Sequence, residues 1–156
     1  MKVHNFGAGP AVLPDVAVKN TAEAILELDD SGLSLLEISH RSAAFEKIAA
    51  EAEELLHELL DVPAGYRTLF LGGGASTQFV VVPYNLLNSK AAYLETGAWA
   101  KKAIAEAEHF GEVEIVASSA DKNFTYIPKQ YTVPSGADYF HITTNNTIFG
   151  SQLRTD

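Results

Sequence analysis

The sequence predicts an α/β fold, a mainly parallel sheet flanked by helices. Three observations carry that prediction. From Tyr66 onward, short apolar runs alternate with stretches of helical periodicity, the pattern of strands joined through helices and covered on both faces. The apolar run Thr68-Leu69-Phe70-Leu71 breaks at Gly72-Gly73-Gly74 and restarts as a helical pattern at Ala75-Ser76-Thr77-Gln78, a glycine-rich strand-to-helix turn. A hydrophobic content of 47% over 156 residues suits one domain with a sizeable core.

The elements follow in chain order. Residues 1–14 form an irregular arm, because the density of glycine and proline in Gly7-Ala8-Gly9-Pro10 and at Pro14 opposes regular structure. A helix is expected from Pro14-Asp15 to about Asp29, burying Val18, Ala22, Ile25 and Leu26, with a break at Asp30-Ser31-Gly32. A second helix sets Phe45, Ile48, Ala49, Ala52, Leu55, Leu56, Leu59 and Leu60 on one stripe, with Glu46, Glu51, Glu53 and Glu54 largely off it. Strands are expected over 67–71, 91–94, 112–117 and 138–143. Helices are expected over 78–87 and from about Ala98 to Phe110, the latter stopped by Gly111. A long polar loop carrying Pro128 and Pro134 separates the last two strands.

Composition excludes several function classes. Eleven basic against 20 acidic residues leave a net charge of −9, with no basic cluster beyond Lys101-Lys102, which argues against nucleic acid and against an anionic membrane surface. Cysteine is absent, so the chain holds neither a disulfide framework nor a thiolate metal site. His4, His57, His109 and His141 have no partners at metal-ligand spacing and are assigned to surface or satisfied core positions. The start of the chain lacks the apolar core of a signal peptide and no run is long enough to cross a bilayer, so a cytoplasmic protein is expected. On that ground the glycosylation patterns at Asn123 and Asn145 are chance matches.

Ligands of such sheets bind beyond the carboxyl ends of the strands. Three groups are expected there: residues 72–77, the turn Thr96-Gly97-Ala98-Trp99, and Thr144-Asn145-Asn146-Thr147. The first reads as a phosphate cup. Glycines allow close backbone approach, the following helix presents unpaired N–H groups and its positive dipole end, and Ser76 and Thr77 add hydroxyls. Trp99, the one tryptophan, either stacks on a planar ring or simply packs at the strand end; the residues alone leave both open.

Five ordered blocks then carry a resemblance. They are Asn5-Phe6-Gly7-Ala8-Gly9-Pro10 with Leu13-Pro14, Glu37-Ile38-Ser39-His40-Arg41-Ser42, Gly72-Gly73-Gly74-Ala75-Ser76-Thr77-Gln78-Phe79 with Val82-Pro83-Tyr84-Asn85-Leu86, residues 96–104 around Gly97-Ala98-Trp99, and Asn145-Asn146-Thr147-Ile148. Together they resemble the N-terminal part of the phosphoserine aminotransferase family, of the class-V type. The resemblance implies a homodimer of the aspartate aminotransferase-like fold (fold type I) that uses pyridoxal 5'-phosphate. It implies amino transfer between glutamate and 3-phosphohydroxypyruvate, with phosphoserine and 2-oxoglutarate as the other pair, in serine biosynthesis. The phosphohydroxythreonine step of pyridoxal phosphate biosynthesis is a further activity of some bacterial members. By the same resemblance, the backbone around Ala75 and Ser76 holds the cofactor phosphate, Trp99 stacks on the pyridine ring, and Thr147 hydrogen-bonds the ring's 3-hydroxyl. His40 and Arg41 bind anionic substrate groups across the dimer interface, although as bare residues they also fit a surface hinge pair.

Two positions depart from the family pattern: Ala8 replaces a common serine, and Ser76 replaces a common arginine whose loss removes a contact to substrate phosphate. The family's chains continue well past Asp156, so residues 15–156 are expected to form an incomplete cofactor-binding domain. The aspartate that pairs with the pyridine nitrogen and the Schiff-base lysine are absent from it, and none of Lys90, Lys101, Lys102, Lys122 and Lys129 lies in an apolar context that would lower its pKa. No catalytic residue is therefore expected within this chain, which alone should be inactive. The rivals are a non-catalytic phosphate- or nucleotide-binding α/β module and another fold type I enzyme. Against the module stand the missing Walker lysine and the missing Gly-x-Gly-x-x-Gly pattern.

Overall fold

The computed structural model describes residues 3–154. Met1, Lys2, Thr155 and Asp156, which the expected arm and domain include, lie outside the described residues. The chain divides into two compact units, one up to Phe70 and one from Leu71.

The first unit carries the arm, without regular structure as expected, and helices α1 (Asp15–Leu26) and α2 (Ala43–Leu59). Helix α1 ends three residues before the expected Asp29, because Asp29 and Asp30 take left-handed backbone at φ 47° and 56°. Leu28 is buried where the chain turns back, its N–H donating to Leu33 O at 2.8 Å. Helix α2 begins at Ser42, whose hydroxyl accepts from the Phe45 N–H at 3.3 Å. The expected burial of Val18, Ala22, Ile25 and Leu26 is corrected: all four are exposed, Leu26 at 83%. The stripe of α2 is half-covered at Phe45, Ala49, Ala52 and Leu56 and exposed at Ile48, Leu55, Leu59 and Leu60. An apolar stripe is only a capacity for burial, and it is realised where a facing surface exists.

The expected strand over 67–71 is also corrected. These residues are irregular, with Leu69, Phe70 and Leu71 exposed, and the Thr68 N–H donates to the Glu53 carboxylate at 3.4 Å rather than to a neighbouring strand. A strand exists only through its ladder, and no described strand pairs with this run.

The second unit contains α3 (Gly74–Leu86), β1 (Lys90–Glu95), α4 (Ala98–Ala107), β2 (Glu112–Ser118), a single 3₁₀ turn at Ala120–Lys122, and β3 (Tyr139–His141). A two-stranded hairpin of β4 (Asn145–Asn146) and β5 (Ser151–Gln152) follows. The main sheet runs β2-β1-β3, parallel throughout, with Tyr93 paired to Ile115 on one side and His141 on the other. Helix α3 starts at the third glycine rather than at Gln78, and α4 ends at Ala107, where the Phe110 and Gly111 N–H groups both fold back onto its carbonyl.

Strand β1 occupies the centre, and Ala91, Ala92, Tyr93 and Leu94 are fully buried, as a parallel strand covered on both faces requires. Ala103, Ile104 and Ala107 of α4 join Ala91 and Tyr93 in the core, with Phe79, Leu87, Val113 and Tyr139 packed around them. Small alanines let the helix lie close to the strand. The start of β1 is fastened to β3 by Asp138, whose carboxylate accepts from the N–H groups of Asn88 (2.8 Å), Ser89 (2.7 Å) and Lys90 (3.1 Å). Those donors, led by Ser89 and Asn88, hold its carboxyl below the usual carboxylate range.

Candidate functional site

The carboxyl ends of β1 and β3 and the N-terminus of α3 face a common cavity of about 550 Å³, within the range of small-molecule sites. It is lined by Gly73, Gly74, Ala75 and Ser76 of the glycine turn, Phe79 of α3, Trp99 of α4, and residues 141–145. All three groups expected at strand ends thus contribute to one place, although the first is reached from an irregular segment rather than from a strand.

The glycine turn is shaped by left-handed backbone, φ 90° at Gly73 and 62° at Gly74. A Cβ on Gly73 would sit 2.7 Å from Thr77 Cβ, so this position admits no side chain while Thr77 donates to the Gly73 carbonyl at 3.0 Å. Helix α3 has no side-chain cap and no acidic residue in its first turn. Its first N–H groups lack intrahelical acceptors and lie beside the cavity, the arrangement that binds anions. Ser76 is exposed there and accepts from Lys102 Nζ at 2.9 Å.

The second wall is set by the turn after β1. Gly97 takes φ 156°, ψ −170°, and a Cβ on it would lie 2.7 Å from Asn146 Cγ, so the absence of a side chain lets Asn146 pack against the backbone. Asn146 is itself buried, donates to the Thr96 hydroxyl at 3.0 Å, and leaves Oδ1 without a hydrogen-bond partner. Trp99, 38% exposed, donates its indole N–H to Thr147 Oγ1 at 3.0 Å. The Thr147 hydroxyl proton is thereby left free to be donated.

The floor was not foreseen. His141, expected at a surface or satisfied core position, is half-buried: it stacks on Tyr93 with ring centroids 4.8 Å apart, meets the edge of Phe79 at 6.3 Å, and lines the cavity with Thr143. Burial holds its imidazole below the ordinary histidine range. Tyr93 hydrogen-bonds Tyr139 at 2.7 Å beneath it, and burial raises both phenols. The signal available in sequence was the position of His141 at the end of a strand.

His40 and Arg41 belong to the first unit, exposed on the turn that leads into α2, where the Arg41 N–H donates to Ser39 Oγ at 3.2 Å. Arg41 forms no ion pair with the carboxylates of the described residues, so its guanidinium is available to an anion. Among the described residues no helix is long and apolar enough to cross a membrane.

Comparison with known proteins places this geometry in a family. The model of the aminotransferase class-V family matches residues 3–155. The phosphoserine aminotransferase of Bacteroides thetaiotaomicron is 61% identical over 156 residues, covering 100% of this chain and 44% of that protein. The Porphyromonas gingivalis protein of the same name is 55% identical, over 100% of this chain and 45% of its own length. The solved phosphoserine aminotransferase from Bacillus circulans subsp. alkalophilus is 40% identical with a TM-score of 0.93, covering 97% of this chain and 43% of that one. The pyridoxal-phosphate-bound structure from Trichomonas vaginalis is 33% identical with a TM-score of 0.90, over 99% and 45%. The chain spans less than half the length of these relatives.

Proposed function

The chain belongs to the class-V aminotransferase family, and on that premise we propose that it is the cofactor-binding part of a phosphoserine aminotransferase. The observation that carries the reading is the convergence of the uncapped α3 N-terminus, the Trp99 ring and the 141–145 segment on one cavity.

The residues fit pyridoxal 5'-phosphate. The Gly73-Gly74 cradle and the N–H groups at Ala75 and Ser76 suit a phosphate dianion, since no side chain or carboxylate competes for the helix end. Trp99 offers an aromatic face, and Thr147 offers a hydroxyl proton to the ring's 3-oxygen because its own oxygen is occupied by the indole N–H. When bound, this cofactor supplies an electrophilic carbonyl and an electron-withdrawing ring that stabilises charge developing at a substrate's α-carbon. Among the described residues no lysine lines the cavity, so none of these lysines is assigned the covalent anchor, and residues 15–156 are read as part of a larger cofactor-binding domain.

The proposed reaction exchanges the amino group of glutamate with 3-phosphohydroxypyruvate, giving 2-oxoglutarate and phosphoserine, as in serine biosynthesis. Phosphohydroxythreonine is a second substrate of the same chemistry. Arg41, with His40, binds an anionic group of the substrate across a homodimer interface, a role that suits a guanidinium in no ion pair with a carboxylate of the described residues. The placement is cytoplasmic.

The test is to purify the intact protein, strip and restore pyridoxal phosphate, and follow glutamate formation from 2-oxoglutarate with phosphoserine as donor. Cofactor-dependent turnover above the rate of free pyridoxal phosphate is expected. Cofactor binding without turnover would favour the non-catalytic phosphate-binding module, and no binding would overturn the site itself.

A further inference from the structure

Lys102 lies one turn beyond Trp99 on α4, at the i+3 spacing that puts both on one face. Its ammonium does not turn back along its own helix to Glu106, and it forms no ion pair with a carboxylate among the described residues. Instead it crosses to α3 and donates to Ser76 Oγ at 2.9 Å, linking residues 26 apart.

That contact has a chemical consequence. A hydroxyl has one proton, and an oxygen that accepts from an ammonium turns that proton away from it. Ser76 sits in the first turn of α3 and lines the cavity, so its proton is free for an acceptor there, and the nearby positive charge polarises the O–H bond. We propose that Lys102 is a positioning residue that acts through Ser76, orienting its hydroxyl as a donor to the cofactor's phosphate dianion and adding positive charge at the lip of the glycine cup. This rests on the cofactor reading above. It also assigns a task to an exposed lysine that stands in no ion pair with a described carboxylate.

The experiment measures affinity rather than turnover. Pyridoxal phosphate and pyridoxal, which lacks the phosphate, are titrated by equilibrium dialysis into the cofactor-stripped intact protein and into Lys102→Gln, Lys102→Arg, Ser76→Ala and the Lys102→Gln/Ser76→Ala double variant. Because Lys102 is exposed, its charge is partly screened, and Lys102→Gln is expected to weaken pyridoxal phosphate binding by about three- to tenfold. Pyridoxal affinity should stay unchanged, Lys102→Arg should retain most of the parent affinity, and Lys102→Gln should cost little further once Ser76 is alanine. An unchanged affinity for pyridoxal phosphate in Lys102→Gln overturns the proposal. So does an equal loss for pyridoxal, or a loss of full size in the Ser76→Ala background. A parent protein that binds no pyridoxal phosphate overturns the site reading and this inference with it.

Discussion

The indole N–H of Trp99 donates to the Thr147 hydroxyl at 3.0 Å, joining the first turn of α4 to the hairpin that carries Asn145 and Asn146 across 48 residues of sequence. One bond therefore orients the ring, which lines the cavity, and leaves the threonine proton free to be donated.

Trp99→Ala is expected to weaken pyridoxal phosphate binding to the intact protein by about 1–3 kcal/mol, the range for losing an aromatic stack on a planar ring. Trp99→Phe should recover part of that loss, since it keeps a face but not the N–H. Equilibrium dialysis measures both, and an unaltered affinity in the alanine variant would mean that the indole only packs.

Arg41→Lys should raise the Michaelis constant for the phosphorylated or dicarboxylate substrate and leave cofactor absorbance intact, because lysine keeps the charge but loses the two-pronged geometry. Steady-state kinetics with each substrate varied in turn make the comparison. Parent-like kinetics would remove Arg41 from the site.

Gly97→Ala places a Cβ where Asn146 Cγ would lie 2.7 Å away, in a backbone conformation at φ 156° that side chains rarely adopt. A destabilisation of about 1–3 kcal/mol is expected from the combined strain and overpacking. Denaturant unfolding followed by the single tryptophan reads it out. A change below about 0.5 kcal/mol, ordinary for a surface site, would show that the hairpin yields instead.

Burial lowers the His141 pKa in the folded state, so the unfolded chain binds the proton more readily. Its contribution to stability is therefore fully present above the unfolded value near 6.5 and is lost as pH falls through the lower folded value. His141→Phe, which keeps an aromatic ring against Tyr93, should flatten that slope. Asp138 acts by the same sign at lower pH: its contribution is present above the unfolded carboxylate value and lost as pH falls through its depressed folded one. Thermal midpoints measured from about pH 7.5 to about pH 2 separate the two, and equal slopes above about pH 5 in parent and His141→Phe would contradict the assignment.

The site was legible wherever chemistry is written in short-range order. Gly72-Gly73-Gly74, Trp99 and Asn145-Asn146-Thr147 stand out because glycine, a lone tryptophan and strand-end polar residues are each informative where they occur, and all three groups contribute to the observed wall. His141, Lys102 and the orphaned Asn146 Oδ1 were not legible as parts of it. Their significance lies in a ring stacked beneath, a hydroxyl on another helix and a missing Cβ at Gly97, none of which is a property of neighbouring sequence.

By itself the sequence determined the order β1, α4, β2 and β3 and the parallel sheet, because apolar periodicity and glycine breaks act over a few residues. Only the tertiary structure decided that residues 67–71 are no strand and that the stripe of α1 is exposed, because a ladder and a buried face each need a partner from elsewhere. It also decided that the strand-end groups meet. The parallel register of β3 on β1 brings His141 to the end of the sheet where Trp99 follows β1, and register is set by packing across the sheet rather than along the chain.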